Sequence, residues 1–389
     1  MKNAIIWPKE TFIPNSLYKR YVFIGEVASA LKACGEIKVL DMSVTNISKR
    51  FLAEFVKDCD YIFIPVEVTT VRESVYLAKY IHNYSKAKIV VYGTAPLYNP
   101  QFFAKYFDVV VNSGYWTEIL PLIAAENSEK LIKDGKLFKL KYVGKDLGWF
   151  YPDFAKLPME EYLKISKREV DLSVQIGCPF NCSFCSEKIL HPHGLFVQRP
   201  VENIINFINT HSYSDIFFDA TTFTVDKKWV LKLADALINN DKKIRWRTVS
   251  RVDQLDDEMC NAMSQAGCYQ IGLGIETLAL SVQKNINKNI GSHIMSGIKC
   301  LQKHNIEPRL FFILGLPGQT LNDVNAALDF AKVNNFKSRW KEYIPLNETS
   351  KFTTLDEYDC YRADQFFMHT VDDMDQEVYM KVLLQNERN

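Results

Sequence analysis

The sequence lacks an apolar run of 18 residues, the shortest length expected of a membrane-spanning helix. It also lacks a charge imbalance, because 47 Lys and Arg against 46 Asp and Glu leave a net charge of +1. A surface that binds nucleic acid is therefore not expected. The start, MKNAIIWPKETFIPN, reaches charged residues too early for a signal peptide. These absences predict a cytoplasmic protein with neither a membrane nor a nucleic acid as partner.

The chain is long enough for two domains with a real core. It has 389 residues, of which 47% are hydrophobic and 24% charged. Nine of the residues are cysteines, and in a reducing compartment clustered cysteines indicate metal ligands rather than disulfides. Six of the nine are scattered, and we expect them to be small buried apolar side chains.

The first part of the chain alternates short apolar runs with segments of helical spacing. IKVLDM, YIFIPV, AKIVVYG and FDVVVNSG are expected strands, and helical segments separate them. This alternation predicts a doubly wound, Rossmann-like parallel sheet over residues 1–143. Residues 121–167 indicate a helix followed by an irregular segment, and the connector between domains is expected at 144–169. Ligands of such sheets bind at the carboxyl ends of the strands.

A second alternating series begins at Val170 with DLSVQIG, DIFFDAT, KIRWRTVS, YQIGLGIE and PRLFFILGLPG. Helical segments separate these runs, so residues 170–350 are predicted to form a full or partial (βα) barrel. The acidic, mixed segment 351–389 is predicted to be a C-terminal extension, either a helical lid or a tail, with a merely solvated face as the alternative.

The stretch GCPFNCSFC carries Cys178, Cys182 and Cys185 with the spacing C-x3-C-x2-C. It follows the predicted first strand of the barrel, on the face where barrel enzymes have their active sites. Thiolates favour zinc or iron–sulfur clusters, and three cysteines leave one iron of a four-iron cluster open. A zinc alternative combines Cys182 and Cys185 with His191 and His193, but it leaves Cys178 over.

This motif, with the aromatic Phe184 before its last cysteine, resembles the signature of the radical S-adenosylmethionine (SAM) enzymes. The resemblance continues in order from about residue 170 to 355. DIFFDATTFTVD resembles the family's second strand, WRTVSRVDQLDDEMCNAMSQAGCYQIGLGIET its fourth and fifth, and LFFILGLPGQT its sixth. KEYIPLNETSKF is similar to the segment that usually closes the barrel.

The resemblance implies two cofactors and a reaction type. The three cysteines would hold a [4Fe–4S] cluster, and SAM would chelate its open iron. One electron, from a donor such as flavodoxin or ferredoxin, would cleave SAM to methionine and a 5′-deoxyadenosyl radical, which abstracts a hydrogen atom from carbon. The residues that the resemblance implies for SAM binding are Phe184 and Gly315 near the adenine, Glu276 at the ribose, Arg251 and Thr248 at the carboxylate and ribose, and Asp219 and Thr222 at the amino group.

The first domain resembles, in order and spacing of strands, the cobalamin-binding domain of cobalamin-dependent radical SAM enzymes. The D-x-H-x-x-G signature of mutase-type sites is absent, and Thr94 replaces the family's usual second glycine. The alternative is a retained scaffold that binds no cobalamin. The residues implied for cobalamin are Val68, Thr69, Thr70, Gly93, Thr94, Ser113, Gly114 and Tyr115.

The predicted function is a cobalamin-dependent radical SAM methyltransferase that acts on an unactivated carbon. The deoxyadenosyl radical would activate the substrate, and methylcobalamin would donate the methyl group. The expected substrate is a small metabolite, a natural-product intermediate or a peptide. The alternative is a radical SAM rearrangement, cyclisation or oxidation in which cobalamin is unbound or does not donate a methyl group.

Overall fold

The computed structural model divides the chain into two compact units. The first contains Met1–Arg168, Ser186–His193 and Leu346–Arg362, and the second contains Glu169–Cys185, Gly194–Pro345 and Ala363–Asn389. The structure describes residues 1–10, 20–143, 147–165, 169–192, 195–363 and 382.

The first unit is built on a seven-stranded sheet whose central strands are almost entirely buried. Tyr61–Pro65 has no exposed residue, as expected for a parallel strand covered by helices on both faces. The order of the strands is β2-β1-β3-β4-β5-β7-β6, and all neighbours are parallel except the last pair. The strands are β1 (Lys2–Trp7), β2 (Glu36–Asp41), β3 (Tyr61–Pro65), β4 (Lys88–Tyr92), β5 (Val109–Val111), β6 (Leu131–Asp134) and β7 (Leu137–Leu140).

The pair β6–β7 corrects the expectation of an irregular segment after the helix near residue 121. These strands are antiparallel and join through Gly135 and Lys136, with Gly135 at a φ of +56°. An Asp-Gly pair between short apolar runs is a hairpin signal, and the sequence KDGK carries it. Three of the four residues of β6 are exposed and none of β7 is fully buried, so the pair lacks the buried apolar run that indicates a strand.

Helices of the first unit include two that come from distant parts of the chain. Asn99 donates from Nδ2 to the carbonyls of Thr349 and Phe352, both at 2.8 Å, and Arg72 pairs with Asp356 at 2.9 Å. These bonds hold residues 346–362 in this unit. The helices are α1 (Arg20–Leu31), α2 (Lys49–Val56), α3 (Val71–His82), α4 (Thr94–Tyr98), α5 (Pro100–Phe103), α6 (Trp116–Ala124), α7 (Met159–Ile165), α8 (Glu187–Leu190) and α15 (Leu355–Ala363).

The second unit is a six-stranded parallel sheet in the order β15-β14-β13-β12-β11-β8, the arrangement of a partial (βα) barrel. The resemblance placed β12, β13 and β14 as the fourth, fifth and sixth strands. These positions are wrong by one, because β12 lies directly beside β11 and the three are the third, fourth and fifth strands of this sheet. The strands are β8 (Val170–Ser173), β9 (Gln175–Gly177), β10 (Phe196–Gln198), β11 (Asp215–Asp219), β12 (Arg245–Arg251), β13 (Cys268–Glu276), β14 (Glu307–Leu314) and β15 (Lys337–Glu342), with β9 and β10 forming a separate antiparallel pair.

Three of the helices between these strands begin at a side-chain cap. Asp226 accepts from Trp229 N, Asp256 accepts from Met259 N, and Thr320 forms a capping box with Asp323. Each cap follows a strand end closely, so helix and strand alternate with short loops. The helices are α9 (Val201–Thr210), α10 (Lys227–Asn239), α11 (Asp257–Gln265), α12 (Leu280–Asn285), α13 (Ile294–Lys303) and α14 (Leu321–Val333). No helix in the described part of the chain is long and apolar enough to cross a membrane.

Candidate functional site

The three clustered cysteines lie on one loop that the neighbouring chain holds in place. The loop begins directly after β9, and Ser183 N donates to the carbonyl of Ile286 at 3.0 Å. The side chain of Asn287 donates to the carbonyl of Asn181 at 2.8 Å. Cys185 N donates to the Cys182 carbonyl at 3.2 Å, which makes a tight turn between two of the cysteines. The segment after α12 therefore fixes the loop.

No disulfide links any of the nine cysteines, those on this loop included. Cys182 is buried, and Cys178 and Cys185 are half-buried. In a four-iron cluster each cysteine binds a different iron, so the thiols need not converge on one point. Among the described residues, no three His, Cys, Asp or Glu side chains are grouped around a single metal position. His193, which the zinc alternative needs, lies outside the described residues.

Arg251 is the charged side chain that approaches the cysteine loop. Its Nη1 lies 3.5 Å from Cys182 Sγ, while its Nε and Nη2 donate to the carboxylate of Asp253 at 3.0 and 2.8 Å. The guanidinium carbon lies 4.0 Å from the centre of the Phe180 ring. Burial alone would lower the pKa of Arg251, but the bond to Asp253 and the negative charges around it raise the pKa above its usual value. The group is therefore a permanent cation beside a sulfur.

Glu276 ends β13 with a backbone φ of +64°, rare for a residue with a side chain. Its carboxylate accepts from Lys288 Nζ at 2.6 Å, and both side chains are at least 90% buried. Gly274 makes room for the pair, because a Cβ there would lie 2.6 Å from Glu276 Oε1 and 2.8 Å from Lys288 Nζ. The predicted ribose-binding carboxylate thus has a lysine partner that the sequence analysis did not identify.

The other residues predicted on these strand ends have different surroundings. Asp219 is half-buried at the end of β11. Thr222 is buried, and its hydroxyl has no hydrogen-bond partner in the structure, as expected of a group that awaits a ligand. Thr248 donates instead to the carbonyl of Phe218 at 2.8 Å, within the sheet. Since side chains alternate along a strand, Thr248 and Arg251 point to opposite faces of β12.

Phe184 and the GLPG turn, both predicted near the adenine, come together in the structure. Phe184 packs against a small apolar cluster that contains Leu316, the residue after Gly315. The N–H groups of Gly315 and Leu316 donate to Gln319 Oε1, so the turn is held by its own chain. What the turn presents next to Phe184 is an apolar surface suited to an aromatic ring.

In the first unit, the threonines predicted to bind cobalamin have internal partners. Thr69 Oγ1 donates to Glu10 at 2.7 Å, and Thr70 Oγ1 accepts from Glu67 N at 3.1 Å. Thr94 donates to the carboxylate of Glu67. Val68 is buried beside them in the turn that follows β3. These hydroxyls stabilise the strand ends of the sheet.

The strand end after β5 carries Ser113, Gly114 and Tyr115, and the segment after the cysteines packs on it. Ser113 Oγ accepts a hydrogen bond from Tyr115 N at 3.4 Å. The Tyr115 and His191 rings pack edge to face, with their centroids 5.0 Å apart. His191 Nδ1 lies 2.8 Å from Glu187 Oε2. The Tyr115 hydroxyl is buried and has no partner in the structure. Burial and the charge of Glu187 raise the pKa of Tyr115 to about 12.

Both glycines predicted for cobalamin meet backbone of the same unit. A Cβ on Gly93 would lie 2.4 Å from the carbonyl oxygen of Val66, and one on Gly114 would lie 2.0 Å from that of Leu190. Their small size therefore serves close packing of the chain itself. Because Gly114 has no side chain, the end of α8 can pack directly against this strand end.

Replacing Gly114 with alanine should force α8 away from the strand end. We expect a loss of about 3 kcal/mol in the free energy of unfolding, the upper range for overpacking. Gly135→Ala is the matched control, because no atom lies within 4 Å of its Cβ position and only its left-handed backbone opposes the change. That control should cost about 1 kcal/mol. Urea denaturation of both variants measures this, and equal losses would contradict the packing of α8 on Gly114.

Several residues around the site were missed from the sequence. Asp253 and Phe180 matter because of what they do to Arg251, and Lys288 because of its bond to Glu276. His191 was considered only as a zinc ligand, whereas the structure includes it in the first unit. The sequence R-x-D was a usable signal for the Arg251–Asp253 pair, but Lys288 lies 12 residues after Glu276 and carried none.

Comparison with known proteins identifies a domain of this chain. Residues 172–331 match the Radical SAM superfamily. The chain carries a radical SAM domain. This domain covers the cysteine loop and β11 to β14, and enzymes that carry it use a [4Fe–4S] cluster and SAM.

Individual proteins resemble more of the chain. An uncharacterized methyltransferase of Pyrococcus horikoshii is 24% identical over 331 residues, which are 79% of this chain and 72% of that protein. The anaerobic magnesium-protoporphyrin IX monomethyl ester cyclase of Rubrivivax gelatinosus is 25% identical over 224 residues, 54% of this chain and 40% of the cyclase. The chain thus spans less than half of that second relative.

A solved structure extends the likeness of fold to the first unit. The radical SAM methyltransferase TsrM from Kitasatospora setae, determined with cobalamin and a [4Fe–4S] cluster bound, superposes with a TM-score of 0.69 at 15% identity. The superposition covers 88% of this chain and 74% of TsrM. The two chains therefore share the sheet of the first unit as well as the radical SAM domain.

Proposed function

We propose that this radical SAM enzyme is a cobalamin-dependent methyltransferase that acts on an unactivated carbon of a small molecule or peptide. The observation that carries the proposal is the fixed loop with three cysteines outside any disulfide, one of them facing a buried arginine. The fold shared with TsrM supports the cobalamin part of the proposal. The sequence similarity to the methyltransferase from Pyrococcus supports the methyl-transfer part. We assign residues 1–143 as the cobalamin-binding-type domain, 144–169 as connector, 170–350 as the radical SAM barrel and 351–389 as an extension.

The residues of the barrel fit the cluster and SAM. Cys178, Cys182 and Cys185 supply the thiolates that an iron–sulfur cluster requires. The unpartnered hydroxyl of Thr222 and the half-buried carboxylate of Asp219 would face the amino group of SAM. The Glu276 carboxylate, oriented by Lys288, would accept from the ribose hydroxyls. Phe184 and the apolar side of the GLPG turn would cover the adenine.

Among the side chains predicted to bind cobalamin, one buried polar group has no hydrogen-bond partner in the described structure. That group is the buried hydroxyl of Tyr115, whose raised pKa keeps it a hydrogen-bond donor. We assign Tyr115 to contact cobalamin, with Ser113 beside it. Val68, Thr69, Thr70, Gly93, Thr94 and Gly114 would shape the strand ends around the cofactor through the internal contacts described above.

With both cofactors bound, the cluster would supply the electron that cleaves SAM, and cobalamin would carry the methyl group. The chain's part is to hold the loop rigid through residues 285–287, to keep a cation at Cys182, and to orient SAM from three strand ends. A reducing compartment such as the cytoplasm would keep the thiols available, and a flavodoxin or ferredoxin would deliver the electron.

Substituting phenylalanine for Tyr115 separates ligand binding from stability. The hydroxyl stabilises nothing within the described structure, so the free energy of unfolding should stay the same or rise slightly. Cobalamin affinity should fall about fivefold, the loss of one hydrogen bond of about 1 kcal/mol. Absorbance titration with hydroxocobalamin measures this. Tyr142→Phe, at a residue 82% exposed, is the control, and equal affinities in both variants would remove Tyr115 from the site.

The proposed reaction is tested by the products of SAM itself, without knowledge of the substrate. Reconstituted enzyme with hydroxocobalamin, SAM and a reductant should form both 5′-deoxyadenosine and S-adenosylhomocysteine, measured by mass spectrometry. The first product reports radical cleavage, and the second reports methyl transfer from SAM. Radical cleavage without S-adenosylhomocysteine would favour the second candidate, a cyclisation, rearrangement or oxidation, for which the cyclase relative provides support. If neither product forms, both candidate functions are contradicted.

A further inference from the structure

Arg251 is held in one orientation by three different contacts. Asp253, two residues along the chain, accepts from Nε and Nη2 at 3.0 and 2.8 Å, which uses one edge of the guanidinium. Phe180 stacks on the group at 4.0 Å from its ring centre. The remaining edge presents Nη1 to Cys182 Sγ at 3.5 Å. A planar fork with one edge bound and one face covered has little freedom to turn elsewhere.

The surroundings make this contact electrostatically effective. Arg251 is only 8% exposed, and so is Cys182. Charges that are shielded from water interact more strongly than exposed ones. Phe180 lies between two of the cysteines in sequence, so the same loop that supplies the sulfur also covers the cation.

We propose that Arg251 donates a hydrogen bond to the Cys182 thiolate of the bound cluster and raises the reduction potential of that cluster. Asp253 and Phe180 are the positioning residues that aim it. The inference rests on the proposed function, because it requires the cluster. Reduction adds one negative charge, and a nearby cation with an N–H···S bond stabilises the reduced state more than the oxidised one. The arginine therefore eases the electron transfer that precedes SAM cleavage.

This role differs from the one implied by the family resemblance, in which Arg251 binds the SAM carboxylate. Two of its three nitrogens already bind Asp253, and the third faces the sulfur of Cys182. The two roles have different signatures. A cluster-tuning arginine changes the midpoint potential in the absence of SAM, whereas a carboxylate-binding arginine changes the affinity for SAM.

The test uses the reconstituted full-length enzyme and two substitutions, Arg251→Gln and Arg251→Lys. The midpoint potential of the cluster is measured without SAM by redox titration followed by electron paramagnetic resonance. For Arg251→Gln we expect the ratio of reduced to oxidised cluster, at the wild-type midpoint, to fall about tenfold, which is a shift of about 59 mV to more negative potential. Arg251→Lys keeps the charge but not the fork, and it should shift the potential in the same direction by less.

A matched control and a second readout make the outcomes distinct. Arg245→Gln removes the same charge from the exposed start of the same strand, six residues or about 20 Å away, and should leave the potential unchanged. SAM affinity, measured by equilibrium dialysis, should change less than about twofold in both Arg251 variants. If Arg251→Gln fails to hold iron, Arg251→Lys decides by the same measurement.

An unchanged potential in a variant with full iron content overturns the inference, and a large loss of SAM affinity at unchanged potential assigns Arg251 to the carboxylate instead. Both outcomes leave the proposed function standing. Failure of the wild-type protein to assemble a four-iron cluster would instead contradict the proposed function.

Discussion

Cys178→Ala should reduce the iron content of the reconstituted protein from about four per chain to less than about one, because a cluster that loses one of three thiolates has too few ligands. Formation of 5′-deoxyadenosine should fall to background with it. Cys178 is the informative choice among the three cysteines. A zinc site made from Cys182, Cys185, His191 and His193 would not need it, so a zinc protein would keep its metal after this change.

The control for this prediction is Cys360→Ser, which removes an exposed cysteine of the first unit. It should retain full iron content and full activity. Iron and zinc are both measured by elemental analysis after desalting. A Cys178→Ala protein that still holds four irons, or one that holds zinc as the wild type does, would contradict the assignment of the motif.

The second large effect is expected at the buried ion pair between Glu276, the last residue of β13, and Lys288. Lys288→Met should lower the free energy of unfolding by about 3–5 kcal/mol, because it leaves the Glu276 carboxylate buried without a partner. Anaerobic urea denaturation measures the loss. The same variant should weaken SAM binding, since Lys288 orients the carboxylate assigned to the ribose.

Two controls separate this effect from a general loss of charge. Lys303→Met breaks the bond to Asp257, which has the same 2.6 Å length but lies on the surface, and it should cost less than about 1 kcal/mol. In the double variant Lys288→Met with Glu276→Gln, no buried charge is left unpaired, so part of the loss should be recovered. Additive losses in the double variant would show that the two side chains do not stabilise each other.

Most of the fold could be predicted from hydrophobic pattern alone. The buried strands β3 and β4 are nearly continuous apolar runs, and the strands of the six-stranded sheet alternate with helices at a spacing typical of parallel pairing. The hairpin β6–β7 was missed because only one of its eight strand residues is fully buried and the pair carries no strong period. The inclusion of residues 186–193 and 346–362 in the first unit was not predictable, since it depends on contacts between distant parts of the chain such as Gly114 with Leu190.

In the candidate site, too, the residues themselves could be predicted but their distant contacts could not. The cysteines, Glu276 and the GLPG turn could be found because local sequence carries them. The contacts that determine what these groups do could not be predicted. Lys288 reaches Glu276, and Arg251 reaches Cys182, only through the register of β12 and β13 and the loops that follow them. Thr248 was predicted together with Arg251 from the resemblance of their strand. Because side chains three residues apart face opposite ways, Thr248 donates to the Phe218 carbonyl while Arg251 faces Cys182.

The most direct test of the account is the cofactor content of the wild-type chain. The purified protein is reconstituted anaerobically with iron and sulfide, incubated with hydroxocobalamin and desalted before iron, sulfide, zinc and the absorption spectrum are recorded. The account predicts about four irons and about one cobalamin per chain. A four-iron protein that retains no cobalamin would contradict the methyltransferase mechanism, and zinc in place of iron would contradict the site itself.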